Sequence, residues 1–139
     1  MKIATINDLQ AMIDYWNANL TAIQSKWGET CGVQKISDFE KFVNQGISVF
    51  EEGNCLIAGI ISGNNFIVTI SWSSRMAKMQ SGLIMLWNEA KNRGLINTNG
   101  FVKPNTTACD WYLSKGFVYE VKGDYYLFND TIDNFLSKI

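Results

Sequence analysis

Residues 102–117 read VKPNTTACDWYLSKGF, and this stretch carries the clearest structural pattern in the chain. Pro104 is followed by an asparagine and a threonine, and all three residue types are common where helices begin. Ala108 and Tyr112 then follow at helical spacing, and Gly116 is a typical residue just beyond the end of a helix. The stretch therefore predicts a strand ending near Val102 and a helix between Pro104 and Gly116.

Outward from this stretch, short apolar runs separated by glycine-containing turns predict strands, and a 3.6-residue apolar period predicts helices. The expected strands are Lys2–Ile6, Ile47–Glu51, Cys55–Ser62, Phe66–Trp72, Asn97–Val102, Phe117–Val121 and Asp124–Phe128. Besides the helix after Pro104, the expected helices are Leu9–Ile23, one from Ser37 to Gly46, one through Met79–Asn92, and Thr131–Ile139. The order β-α-α-β-β-β-α-β-α-β-β-α predicts an α/β (α+β) fold with a mixed, mostly antiparallel central sheet flanked by helices. Because no linker or repeat interrupts it, we expect residues 1–139 to form a single domain.

The composition excludes several kinds of chemistry. The chain has no histidine, which removes Ser-His-Asp and Cys-His nucleophiles and histidine metal ligands, and no metal is expected. Its 12 basic and 13 acidic residues give a net charge of -1, so the whole chain has no attraction for nucleic acid or an anionic membrane.

The three cysteines, Cys31, Cys55 and Cys109, are odd in number and lack C-x-x-C spacing. This pattern favours free thiols in a reducing compartment over a disulfide framework or a zinc site. The first ten residues, MKIATINDLQ, contain no continuous apolar run of the kind found in signal peptides. We therefore expect a soluble, cytoplasmic protein.

The pattern N-x-x-A-x-x-x-Y-x-x-x-G-F at residues 105–117 resembles a signature of the GNAT superfamily of N-acetyltransferases. The expected order of elements resembles the fold of that superfamily across nearly the whole chain. The resemblance implies that acetyl-coenzyme A, as co-substrate, binds where the fourth and fifth strands splay apart, and that an amine attacks its thioester directly. Such a reaction needs neither histidine nor a covalent enzyme intermediate.

The resemblance also implies which residues would form the site. Tyr112 would donate a proton to the departing thiolate, and Asn105 would contact the cofactor. Thr69 and Ser71 lie on the fourth strand, whose backbone would bind the thioester. The loop before the central helix would hold the pyrophosphate at a helix N-terminus, and its residues are Arg75, Met76, Ala77, Lys78, Met79 and Gln80.

This loop departs from the glycine-rich pattern of the superfamily, R/Q-x-x-G-x-G/A. Ser74 takes the position of the first residue, and Ala77 and Met79 take the positions of the two glycines. Arg75 and Lys78 offer positive charges for phosphate. Between Arg75 and Lys115 there are six basic residues and two acidic ones, which is consistent with an anionic cofactor.

Each site residue also has a purely structural interpretation. Tyr112 fits a packed core position, Asn105 fits a helix cap, and Arg75 and Lys78 fit solvated surface charges. Cys109 fits a buried cysteine better than a reactive thiol. Trp72, at the end of the fourth strand, is a candidate for the wall of an acceptor pocket.

The sequence thus predicts an N-acetyltransferase that transfers an acetyl group from acetyl-CoA to a primary amine on a small molecule or protein. Residues 66–74 contain no acid, so no general base is assigned. The alternative, favoured by the glycine-poor loop, is a non-catalytic protein of the same fold that binds a macromolecular partner. The acceptor and the oligomeric state, including a homodimer, stay open.

Overall fold

The computed structural model describes residues 1–27 and 31–139. Its strands are β1 (Lys2–Ile3), β2 (Gly46–Glu51), β3 (Cys55–Ser62), β4 (Asn65–Ser73), β5 (Asn97–Val102), β6 (Tyr119–Lys122) and β7 (Tyr125–Thr131). Its helices are α1 (Leu9–Ala18), α2 (Leu20–Trp27), α3 (Ile36–Asn44), α4 (Met76–Asn92), α5 (Thr107–Ser114) and α6 (Ile132–Ser137), and a short 3-10 helix spans Ile6–Asp8. In the part of the chain that the structure describes, no helix is both long and apolar enough to cross a membrane.

The seven strands form one sheet in the order β1-β2-β3-β4-β5-β7-β6. All neighbouring pairs are antiparallel except β4 and β5, which are parallel. This parallel pair follows from the connection, because α4 carries the chain across the sheet from the end of β4 to the start of β5. The predicted fold class, a mostly antiparallel mixed sheet flanked by helices, is confirmed.

A separate apolar cluster covers each face of the sheet. On one face, Leu83 and Trp87 of α4 pack with residues of α5 and α6. On the other face, Met12 and Trp16 of α1 pack with residues of α2 and α3. Since successive strand residues point to opposite faces, the two clusters take alternate residues of the same strands.

Strand β4 changes its facing at a β-bulge. Ala58 pairs with Ile70 and Gly59 pairs with Val68, so Thr69 between them has no partner on β3. One extra residue in a strand reverses the facing of everything beyond it. Val68 accordingly packs against the α4 cluster, whereas Ile70 belongs to the α1 cluster.

The predicted helix Leu9–Ile23 is two helices. Its continuity fails at Asn19, whose side-chain amide donates to the carbonyl of Tyr15 at 2.8 Å. Asparagine side chains compete in this way for backbone groups, which ends α1 and lets α2 begin at Leu20. The apolar spacing of the two segments is continuous and carries no sign of this break.

The other boundaries differ from the predicted ones by a few residues. The 3-10 helix precedes the expected start of the first helix at Leu9, and the carboxylate of Asp8 accepts from the backbone N–H of Thr5 at 2.8 Å. Asp38 likewise accepts from the N–H of Lys35 at 2.9 Å, so α3 begins at Ile36. Strand β7 runs three residues beyond the predicted end because it pairs with the full length of β5.

We expect Gly59→Ala to lower the free energy of unfolding by about 3 kcal/mol, toward the upper end of overpacking effects. A Cβ at this position would lie 2.0 Å from the carbonyl oxygen of Ile67, and a backbone atom beside the bulge cannot move aside cheaply. Urea denaturation measures the change. The control is Gly32→Ala, because a Cβ there would meet no atom within 4 Å. Equal stability of the two variants would contradict the tight approach of β3 and β4.

Candidate functional site

Strands β4 and β5 pair over only three residues and then separate. The pairs are Asn65 with Asn97, Phe66 with Thr98 and Ile67 with Asn99. The hydroxyl of Thr98 donates to the carbonyl of Phe66 at 2.9 Å and secures the paired end. Beyond this point the two strands diverge and a cavity of about 330 Å³ lies between them.

The cavity joins the two faces of the sheet. Trp16 of α1 and the segment 31–34 line it on the α1 face. Tyr112 of α5 and Phe128 of β7, which belong to the α4 cluster, line it on the opposite face. Two ligands entering from opposite faces could therefore meet inside the gap between the strands.

Tyr112 is the predicted proton donor, and the structure places it in the wall of this cavity. Its ring stacks on Phe128 with 4.9 Å between centroids and meets Trp111 edge to face at 5.0 Å. Burial raises the pKa of the Tyr112 phenol well above its ordinary value, so the phenol stays protonated at neutral pH. The packed-core and site interpretations are compatible, because the ring packs in the core and also borders the cavity.

Thr69 and Ser71 of β4 also line the cavity, on the part of the strand that has left β5. Thr69 is the bulged residue itself, and the hydroxyl of Thr69 donates to the carbonyl of Ile67 at 3.2 Å. The structure therefore brings Thr69, Ser71 and Tyr112 together around one space. Their roles toward a ligand stay predictions.

The residues predicted to form a pyrophosphate loop lie at the start of α4: Arg75 directly precedes the helix, and the other five, 76–80, are in its first turns. Arg75 is the N-cap residue of α4, and its carbonyl accepts from the N–H groups of Lys78 and Met79 at 3.1 Å. The N–H groups of Met76 and Ala77 belong to the first turn, which has no acceptors within the helix. The side chains of Arg75 and Ala77 are exposed, whereas those of Met76 and Gln80 are half-buried.

Met79, which replaces a glycine of the superfamily pattern, is part of the core. Its side chain is only 5% exposed and packs in the α4 cluster with Leu83 and Ile57. The Met79 side chain thus points toward the sheet. The exposed side chains at the start of α4 are those of Arg75 and Ala77.

Lys78 is paired rather than solvated. Its ammonium donates to the two carboxylate oxygens of Glu51, at 2.9 and 3.2 Å. The hydrogen bond from Lys78 is the main reason why the pKa of Glu51 is lowered. Glu51 does not line the cavity. Its carboxylate therefore binds Lys78 at the start of α4 and does not face the space beside Tyr112.

Asn105 is not the cap of α5, and that structural prediction is wrong. The N-cap is Thr106, whose hydroxyl accepts from the N–H of Cys109 at 3.2 Å. Asn105 instead has a φ of 63°, a left-handed conformation that asparagine tolerates better than most residues. Its side chain is exposed beside the start of α5 and is not in the cavity wall. Its cofactor contact stays a prediction.

Two further expectations concern aromatic and thiol groups. Trp72 does not line the cavity, so the acceptor-pocket role is wrong: its ring is buried in the α1 cluster, with the ammonium of Lys26 5.3 Å from its centroid. The bulge explains this, because it turns Trp72 to the face that α1 and α2 cover. Cys109 is buried and burial raises its pKa, as expected for a structural cysteine.

Other cavity residues were not predicted from the sequence. They include Gly32 and Gln34 before α3, and Phe101 and Lys103 at the end of β5. Phe101 has a signal in the sequence, because strand alternation places it opposite the buried Val102, on a face that is otherwise polar. Within residues 1–27 and 31–139, no carboxylate lines the cavity and no cluster of acidic or cysteine side chains could hold a metal ion.

Comparison with known proteins identifies this architecture. No protein-family model matches the sequence, and no curated protein sequence matches it. Solved structures do match. PaiA N-acetyltransferase from Thermoplasma acidophilum, solved with coenzyme A, has a TM-score of 0.67 and 14% identity over 94% of this chain and 99% of that one. An acetyltransferase of the GNAT family from Staphylococcus aureus has a TM-score of 0.66 and 9% identity over 94% and 97% of the two chains.

The chain has the GNAT fold. The ribosomal-protein-S18-alanine N-acetyltransferase of Escherichia coli is also similar, with a TM-score of 0.61 and 15% identity over 94% of this chain and 93% of that one. The GNAT resemblance inferred from residues 105–117 is therefore confirmed at the level of the fold. In this GNAT fold, the gap between β4 and β5 is the candidate ligand-binding site.

We expect the buried Tyr112 to make stability fall at high pH. Because its folded pKa is raised, the folded chain keeps a proton that the unfolded chain loses above its ordinary pKa of 10. The free energy of unfolding should fall with a slope of up to about 1.4 kcal/mol per pH unit above pH 10 from this one group. Urea denaturation between pH 8 and 11.5 should show a shallower fall for Tyr112→Phe. Tyr119→Phe, on exposed β6, is the control, and equal slopes in all three proteins would contradict the expectation.

Proposed function

We propose that the chain is an acetyl-CoA-dependent N-acetyltransferase that acts on a primary amine. The observation that carries this proposal is the gap between β4 and β5 with the buried, protonated Tyr112 in its wall. A structure of similar fold was solved with coenzyme A, which supports a ligand of that kind. Similar structures include both PaiA N-acetyltransferase and the ribosomal-protein-S18-alanine N-acetyltransferase, so the fold alone does not select the acceptor.

The residues around the gap fit a pantetheine arm and a pyrophosphate. The diverging edges of β4 and β5 carry backbone N–H and C=O groups for an extended amide chain. The start of α4 presents N–H groups and the positive end of the helix dipole, which favour an anion. The exposed guanidinium of Arg75 adds a charge at that point, and Asn105 is the candidate contact on the α5 side.

Acetyl-CoA, when bound, supplies an acetyl group activated as a thioester. Backbone N–H groups on the free edge of β4, beside Thr69 and Ser71, would donate to the thioester oxygen as negative charge develops there. The amine nitrogen attacks the carbonyl carbon and the carbon–sulfur bond breaks. Tyr112 gives its proton to the departing sulfur, and the proton lost by the amine restores the phenol through water. The chemistry therefore balances without a metal or a covalent enzyme intermediate.

The packing of Met79 supports this proposal over a non-catalytic protein of the same fold. A methionine side chain lying across the start of α4 would oppose phosphate binding. Its burial in the core removes that objection. The pairing of Lys78 with Glu51 leaves Arg75 and the helix backbone as the groups for phosphate.

The first test is ligand binding. We expect 1 mM acetyl-CoA to raise the melting temperature by several degrees, because a ligand at a hundred times its Kd stabilises the folded state by about 2.7 kcal/mol. Differential scanning fluorimetry measures the shift. ADP, which has a pyrophosphate but no pantetheine arm, is the comparison and should give a much smaller shift. No shift with millimolar acetyl-CoA would overturn the proposal.

The second test is the role of Tyr112. We expect Tyr112→Phe to lower kcat by about a hundredfold, the lower range for loss of a general acid, with acetyl-CoA affinity within about twofold of the wild type. Release of free thiol gives kcat, and isothermal titration gives the affinity. Tyr126→Phe, a half-buried tyrosine outside the cavity wall, is the matched control. Unchanged kcat in Tyr112→Phe would remove the residue from the reaction.

A further inference from the structure

Phe101 is a large aromatic side chain that borders the cavity and is 59% exposed. It points away from the α4 cluster, because its neighbour Val102 is buried there. The ring of Tyr125, which also borders the cavity, meets it edge to face at 6.4 Å and 78°. The two rings thus form an aromatic surface at the α1-face opening of the cavity, and much of Phe101 is left for a ligand to cover.

The segment 31–34 forms another wall of the same opening and is held in place. The indole N–H of Trp16 donates to the carbonyl of Gly32 at 2.8 Å. The amide of Asn17 makes two hydrogen bonds to the backbone of Gln34, at 3.1 and 3.2 Å. A Cβ on Gly32 would meet no atom within 4 Å, so the space beside this wall is open. Such a preformed space binds a rigid ligand with little loss of entropy.

The charge of the opening disfavours a polycation. Lys103 is the charged side chain among the cavity-lining residues that the structure describes, and it is positive. Its field reaches the segment 31–34, because it opposes the rise that burial causes in the pKa of Cys31. A ligand with several ammonium groups would be repelled by this positive field at each of them, whereas a monoamine carries at most one charge and would be repelled less.

From the exposed aromatic surface, the open space beside Gly32 and the positive charge of Lys103, we propose that the acceptor is a primary monoamine carrying an aromatic ring. Its ring packs on Phe101 in the space beside Gly32. Its amine extends into the gap between β4 and β5 toward the cavity wall formed by Tyr112. This inference rests on the proposed acetyl transfer for its chemistry, but the aromatic site itself can be tested by binding alone.

The kinetic test compares 2-phenylethylamine with n-butylamine, each as acceptor with acetyl-CoA. Phe101→Ala should lower kcat/KM for 2-phenylethylamine about tenfold, mainly through KM, and change that for n-butylamine by less than about twofold. Because each amine is compared with itself between proteins, the difference in amine basicity cancels. Val121→Ala, which is exposed on β6 outside the cavity wall, should leave both values unchanged.

A second variant narrows the space instead of removing the ring. Gly32→Val places a branched side chain where a Cβ meets no atom within 4 Å, and it should weaken 2-phenylethylamine more than n-butylamine. An equal effect of Phe101→Ala on both amines would overturn the inference, and so would a higher kcat/KM for spermidine than for 2-phenylethylamine.

Calorimetry separates failure of this inference from failure of the proposed function. If acetyl-CoA does not bind, the transfer reaction is refuted, and titration of 2-phenylethylamine into wild type and Phe101→Ala still decides the aromatic site. Binding that weakens about tenfold in Phe101→Ala supports the site. Absence of binding, or equal binding to both proteins, overturns it. If acetyl-CoA binds and n-butylamine is acetylated as well as 2-phenylethylamine, the transferase stands and the aromatic preference fails.

Discussion

The separation of β4 from β5 is the constraint on which the rest of this molecule depends. Parallel strands joined by a helix normally pair along their length, but here pairing stops after Ile67 and Asn99. The bulge at Thr69 comes two residues later and turns the remaining residues of β4 to opposite faces. The backbone of β4 beyond the bulge keeps its pairs with β3 and gives up those with β5. A sheet that is otherwise continuous thereby gains a gap that connects its two faces.

Polar contacts outside the gap hold its loop in place. In the turn between β2 and β3, the carbonyl of Asn54 accepts a hydrogen bond from the N–H of Ser74 at 2.9 Å. Glu51, at the end of β2, forms an ion pair with Lys78 in the first turn of α4. The start of α4 is thus fixed from the neighbouring hairpin. Glycine would allow a phosphate to approach closely, whereas a fixed loop presents its backbone N–H groups in one arrangement. Partly buried, the Glu51–Lys78 pair acts more on the position of the loop than on total stability.

Much of the fold could be predicted from the sequence because most helices and strands have a recognisable pattern within their own residues. The apolar runs of β2 and β3 between glycine-containing turns, and the apolar period of α4, place these elements within a few residues of their observed limits. The gap could be predicted only through the resemblance of residues 105–117, because the bulge at Thr69 leaves no mark in composition or period. The same cause explains the error at Trp72, whose facing follows from the bulge. Asn105 and Thr106 illustrate a finer limit: both residue types cap helices, and only the left-handed backbone at Asn105 assigns the cap to its neighbour.

The absence of histidine from the chain and the burial of Tyr112 both limit how protons can be taken up and given in the proposed acyl transfer. A histidine near neutrality can both take and give a proton, so one residue can serve both halves of an acyl transfer. A buried phenol cannot do both, because desolvation raises its pKa and holds it in the protonated form at neutral pH, so it is not free to take a proton from the amine. The same desolvation keeps the phenol fully protonated, which is the state that the proposed proton donation to a thiolate requires. A chain that relies on such a residue must let the amine lose its proton elsewhere, to water or before binding. The apolar, aromatic character of the α1-face opening is consistent with that division, because it favours the neutral form of the amine over the ammonium.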